Sequence, residues 1–336
     1  MKEQDKKTKS AGRRVLVILL SLCILTGVLT VVVGNYFIGV SLVRQDSFNE
    51  AIEPAGSVSG EDQRAIDEAR VAYDAFQDEI FSDPEIEKEI VSITSGDGLR
   101  LEADRYMQPG EREHEWVIFV HGYVSSRNAA SSRDIVSVYL SQGYQVLSPD
   151  NRAHGASEGE YIGMGWLDRL DIVSWINYLT ELDPQARICL HGVSMGGATV
   201  MMTSGEALPD NVRAIVEDSG YTSVWDEFVS ELRYMYHLPA FPALYMADAM
   251  AGIRAGYHFK EASSLRQLAN CQLPMLFIHG DKDNFVPFDM VYENYDACAS
   301  EKKQLLTVSG AGHVESHLRE PELYWTTVFG FLDAVD

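Results

Sequence analysis

Hydrophobic and polar positions alternate along this chain in several distinct rhythms. The first is no rhythm at all. From Val15 to Val43 there is no charged residue, and Leu, Val and Ile dominate. As a helix this stretch would rise about 43 Å at 1.5 Å per residue, against a bilayer hydrocarbon core of roughly 30 Å. It is long enough to span with residues to spare, with the interface expected near Asn35-Tyr36. Residues 44–60 lack periodicity and carry Pro54 and Gly56, which reads as a linker. From Glu61 to Phe81, Ala65, Ile66, Ala69, Ala72, Tyr73, Phe76 and Ile80 recur at helical spacing, and Pro84 follows.

Two alternating arms come next, Glu89–Thr94 and Leu99–Asp104, around Ser95-Gly96-Asp97-Gly98. They predict an antiparallel hairpin. Beyond Trp116 short apolar runs take over at Trp116–Val120, Gln145–Ser148, Arg187–Leu190, Ala214–Val216, Met275–Ile278 and Leu305–Val308. Helical stretches such as Arg133–Leu140, Leu167–Leu182 and Asp289–Cys298 separate them. Continuous apolar strands joined by helices predict an α/β fold, a mostly parallel sheet covered on both faces. The stretch 223–263 interrupts the alternation. It is rich in aromatics and Met, and Pro239 and Pro242 divide it into two helical pieces. It reads as a helical lid over a site; the plainer alternative is one more cover for the sheet.

Composition changes this picture at the N-terminus. Six Lys and Arg fall within residues 1–14, against Glu3 and Asp5, in a chain whose net charge is −23. Arg13-Arg14 abut the apolar run, so the positive-inside rule keeps residues 1–14 in the cytoplasm and puts everything after Arg44 outside. A cleaved signal peptide would have an apolar core of about 7–15 residues and a small-residue cleavage site; this run is longer and lacks the site. The expected organisation is a basic tail over 1–14, a transmembrane anchor over 15–43, a linker and helix over 44–88, and a catalytic domain over 89–336. So acidic a body excludes nucleic acid as a partner.

The chemistry centres on Gly192-Val193-Ser194-Met195-Gly196-Gly197, between an apolar strand and an apolar run. Gly-x-Ser-x-Gly is weak alone, but strand, turn and helix together make a nucleophile elbow that holds the Ser194 hydroxyl out of the backbone. A serine nucleophile needs a base, an orienting acid and oxyanion donors. Gly310-Ala311-Gly312-His313 and His279-Gly280-Asp281-Lys282-Asp283 both follow strand ends. His313 is the expected base, with His317 the lesser candidate. Asp283 is the expected acid; Asp281 reads as a turn former and Asp218 is the runner-up. The backbone amides of Met195 and of Tyr123, in His121-Gly122-Tyr123, are the expected oxyanion donors. His121 and His191 read as structural. Asp150–Gly159 reads as a buried polar turn in which Asp150 and Arg152 satisfy backbone groups and each other. No Cys/His spacing fits zinc and no Gly-rich loop fits a nucleotide, so neither cofactor nor metal is expected. Cys271 and Cys298 flank the Asp283 region and can form a bridge only if their separation allows.

These motifs, in this order, resemble the α/β-hydrolase family from about Glu89 onward, in particular the bacterial branch related to BEM46-type and FrsA-like hydrolases. The turn that this branch writes Arg-Gly-His-Gly stands here as Arg152-Ala153-His154-Gly155. The resemblance implies an α/β-hydrolase fold with a Ser-His-Asp triad and leaves the substrate open. The expected function is a membrane-tethered serine hydrolase cleaving carboxylic esters, with a small-molecule or lipid-like acyl substrate. A peptidase, an acyltransferase or a non-catalytic binding protein on the same fold are the alternatives.

Overall fold

The computed structural model describes residues 2–45 and 61–335. In chain order the elements are α1 (Lys2–Ser41), α2 (Glu61–Phe81), β1 (Glu87–Thr94), β2 (Arg100–Met107), β3 (Glu115–Val120), α3 (Ala130–Ser141), β4 (Gln145–Pro149) and α4 (Asp168–Leu182). There follow β5 (Arg187–Val193), α5 (Met195–Thr203), β6 (Val212–Asp218), α6 (Val224–Tyr236), α7 (Ala243–Arg254), α8 (Ser264–Leu268), β7 (Met275–Gly280), α9 (Met290–Ala297), β8 (Lys303–Val308), α10 (Ser316–Arg319) and α11 (Pro321–Val335).

The strands form one eight-stranded sheet in the order β1-β2-β4-β3-β5-β6-β7-β8. The hairpin β1–β2 and the β2–β4 pair are antiparallel, and every pair from β4 to β8 is parallel. The period of two in a strand decides which core each residue joins. On β3, Trp116, Ile118 and Val120 pack with Trp175, Ile176 and Leu179 of α4 and with Val200 and Met201 of α5. Val117 and Phe119 face the other way, onto Tyr139 of α3 and Tyr324, Val328 and Phe331 of α11. Both faces are buried, so the strands read as unbroken apolar runs rather than as alternation.

A third core lies above the sheet. α6 and α7 are the two pieces expected over 223–263, and they pack on Met195, Ala198 and Met202 of α5. The end of α1 joins them: Ile38 and Leu42 are fully buried there. The last residues of the stretch expected as anchor, 15–43, thus pack against the lid helices. From Val15 to Val32 the apolar side chains of α1 lie exposed, whereas Gly34 fits against Met246 and Met250 of α7. A Cβ at Gly34 would collide with the Met246 carbonyl. Arg254 of α7 donates to Asn35 Oδ1 at 2.7 Å. Arg44 then donates to the Ser157 carbonyl at 2.7 Å and, through its backbone, to the Glu160 carbonyl at 2.9 Å. The rest of the expected linker, 46–60, lies outside the described residues.

Candidate active site

Ser194 follows β5 directly and caps α5 with φ 56° and ψ −121°. This left-handed backbone is unfavourable for a residue with a Cβ and persists where the surroundings enforce it. The glycines make it possible. A Cβ on Gly192 would strike the Gly196 carbonyl, and one on Gly196 would strike the Val120 carbonyl. The Ser194 amide is tied to the Asp218 carbonyl at 2.8 Å. The hydroxyl therefore stands above the sheet, at the C-terminal ends of the parallel strands.

Two other strand-end loops meet it. Ser194 Oγ lies 2.8 Å from His313 Nε2, and His313 Nδ1 lies 2.7 Å from Asp283 Oδ2. A carboxylate only accepts, so Nδ1 carries the proton and Nε2 accepts from the hydroxyl. Burial pushes the Asp283 carboxyl up, but the neighbouring His313 and His279 rings outweigh it and bring it down to about 2. Burial likewise disfavours the His313 imidazolium; the opposing charges of Asp283, Asp218 and Glu231 more than compensate and raise its pKa above the ordinary value.

Among the other candidates, Asp281 accepts from the Gly310 amide at 2.8 Å, fastening the His313 turn to the Asp283 loop. Asp218 Oδ2 accepts from Tyr324 at 3.1 Å, away from the imidazole. His317 faces Asp134 at 3.5 Å, beneath α2 and α11. His121 accepts from the Asn151 amide at 3.0 Å, and burial lowers its pKa to about 4. His191 lies under the sheet between Tyr139 and Tyr324. The expected Asp150–Arg152 pair does not form. Arg152 Nε reaches Asp171 at 2.7 Å and its Nη1 reaches Asp97 at 2.9 Å, while Asp150 binds Arg127. The partners come from other segments, among them helix α4, which local sequence does not disclose. Cys271 and Cys298 are both buried, neighbouring and unbridged.

Gly122 comes against the nucleophile: a Cβ there would sit 3.3 Å from Ser194 Cβ. Tyr123 and Met195 line the same cavity as Ser194. Met195 opens α5, where the first amides have no partner within the helix. The Tyr123 hydroxyl donates to the Ser41 carbonyl at 2.9 Å, linking this loop to the end of α1. The cavity measures about 100 Å³ and is mainly apolar, with Phe37, Val40, Tyr123, Phe228, Leu232, Met235 and Phe285 in its wall. Glu227 and Glu231 of α6 also line it, and so does Ser41. Three features of the site are not evident from the sequence: His279, whose Nε2 lies 3.0 Å from Asp283 Oδ2, the Glu227/Glu231 pair, and the α1 wall. His279 was visible as the strand-end residue before Gly280, but nothing local tied it to Asp283. Among the described residues no group of His, Cys, Asp and Glu could hold a metal ion.

The sheet order, the elbow after the fifth strand and the helical cover define an α/β hydrolase. Residues 115–237 match the family model described as alpha/beta hydrolase fold. The Bacillus subtilis protein YqkD, itself uncharacterized, is 28% identical over 218 residues, covering 65% of this chain and 70% of its own. The Danio rerio lysophosphatidylserine lipase ABHD12 is 26% identical over 60% of this chain, which spans only 52% of that enzyme. The Pyrococcus furiosus esterase Pf2001 superposes with a TM-score of 0.62 at 26% identity, over 74% of this chain and 92% of that one. The chain has the α/β-hydrolase fold, and its similarity to these proteins makes it a serine hydrolase.

Proposed function

We propose that the chain is a membrane-tethered, lipase-like carboxylesterase. Ser194 attacks the ester carbonyl, His313 takes its proton and returns it to the leaving alcohol, and Asp283 holds the imidazole and favours its charged form. The Met195 and Tyr123 amides receive the oxyanion, each worth about 3–4 kcal/mol in sites of this kind. Water then releases the acyl group through the same base. One observation carries the reading: the hydrogen-bonded line from Ser194 through His313 to Asp283 opens into an apolar cavity. An esterase and a lipase stand among the chain's similar proteins, which supports the ester over other acyl bonds.

The tether rests on α1. Within Arg13–Ser41 its most apolar 18 residues have a mean hydropathy of 2.9. Val15–Val33 alone rises about 28 Å, which fits a hydrocarbon core of roughly 30 Å and leaves the following turns for docking on α7. Residues 1–14 then lie in the cytoplasm and the catalytic body, from 89 to 336, outside it. The test is a fluorophosphonate probe together with p-nitrophenyl esters of graded acyl length. The full chain in mild detergent should be labelled and should hydrolyse the esters, and Ser194→Ala should do neither. A folded wild type that stays unlabelled overturns the proposal.

A further inference from the structure

α6 begins at a Ser223 cap, whose side chain accepts from the Asp226 amide. Its residues 227 and 231 are four apart and share one face. That face also carries Phe228, Leu232 and Met235 into the cavity. On packing grounds the two remaining positions call for apolar side chains. They hold glutamates instead, 3% and 9% exposed.

Each glutamate has a buried oxygen, Glu227 Oε2 and Glu231 Oε1, that meets no hydrogen-bond partner among the described residues. They are the carboxyl-bearing side chains that line the cavity with Ser194. Burying a carboxylate without a donor is unfavourable, and two such groups on one helix face compound the cost. Burial pushes both up, Glu231 to about 7, and each also senses Asp283. Both line the same cavity as Ser194, so the pair stands at the reacting centre rather than at a distant rim. A fold that needed only a lid would gain by replacing them; perturbed carboxylates in a substrate cavity are the usual mark of a binding role.

We propose that Glu227 and Glu231 form a cation subsite that admits a protonated primary amine carried on an apolar stem. The inference rests on the reading of this cavity as the substrate site of Ser194. An ammonium brings three donors and one positive charge, matching two acceptor groups already near an anionic Asp283. A hydroxyl brings one donor and leaves the charge unanswered. A carboxylate or phosphate in the same place is repelled. The apolar wall around the pair takes the stem.

The test uses full-length Ser194→Ala in nonionic detergent, so that binding is read without turnover. Hexylammonium, hexanol and hexanoate are titrated by calorimetry and thermal shift at neutral pH. Hexylammonium should bind about tenfold tighter than hexanol, the difference expected of a charge-assisted contact, with hexanoate weakest. Adding Glu227→Gln and Glu231→Gln should erase the difference and leave hexanol unchanged. Equal binding of amine and alcohol, or a preference that survives both substitutions in a folded protein, overturns the proposal. On the wild type, esters with the amine on the acyl chain and on the alcohol are compared with neutral isosteres. A gain in kcat/KM on either side supports the subsite and says which half of the substrate it reads; a gain on neither overturns it. Absence of fluorophosphonate labelling would instead sink the Ser194 reading, and the amine titration would remain interpretable.

Discussion

At the scale of single residues the site is governed by what holds Asp283. Its Oδ2 faces two imidazoles, His313 at 2.7 Å and His279 at 3.0 Å. His279 is fully buried and also points Nε2 at the Val286 carbonyl at 3.1 Å, so it must carry its proton on Nε2. It acts by positioning the acid. His279→Phe should lower kcat about tenfold or more, in the range of a misplaced catalytic group, with KM nearly unchanged; a matching rise in KM would point to general disruption. The pH dependence follows from His313. The base works as the neutral imidazole, and its pKa is raised, so kcat/KM should fall as pH drops through a value above the ordinary imidazole pKa of about 6.5. Glu231 contributes to the raising, so Glu231→Gln should move this acid limb downward. Much of the residue scale was legible beforehand. Ser194, His313 and Asp283 each follow a strand end and carry glycine punctuation, and the structure brings the three together. His279, Glu227 and Glu231 were not legible, since their meaning depends on partners supplied by other segments.

At the scale of elements, the loop after β3 is secured by one buried cation. Arg127 Nε bonds Asp104 at 3.0 Å and its Nη1 pairs with Asp150, and all three are nearly inaccessible. Arg127→Met would take the guanidinium from two buried carboxylates, leaving Asp104 with Lys88 Nζ at 2.6 Å and Asp150 with the amides of residues 127 and 156; a broken buried pair costs about 3–5 kcal/mol, and these remaining partners keep the loss at or below that. The midpoint of thermal unfolding reads it directly, and a shift within error would dismiss the role. The elements themselves were legible because both sheet faces are covered, which makes each central strand a short apolar run. The end of α1 was not. Hydropathy measures how apolar a stretch is, and a lid helix and a lipid tail are equally apolar partners for it.

At the scale of the whole molecule, α1 changes surroundings along its length: Arg13–Leu29 are exposed, whereas Gly34 and Ile38 are buried against the lid helices. A chain beginning at residue 45 therefore loses part of the cavity wall, and with it Ile38 and Leu42. Their burial is worth roughly 3–6 kcal/mol at about 1.5–3 per side chain. Such a chain should unfold at lower temperature and lose discrimination between acyl lengths, compared with one beginning at residue 34. Identical melting and identical acyl profiles would show that the docked turns are dispensable.

The bond from Tyr123 to the Ser41 carbonyl gives this arrangement a mechanical side. With α1 spanning a bilayer as proposed, it joins the membrane-spanning rod to the loop expected to cradle the developing oxyanion. Tilting or stretching that rod, as lipids of unequal thickness do, then tugs on the loop itself. On that proposal, turnover of a freely water-soluble ester should vary with the lipid chosen for reconstitution, and the enzyme would act as a gauge of its membrane.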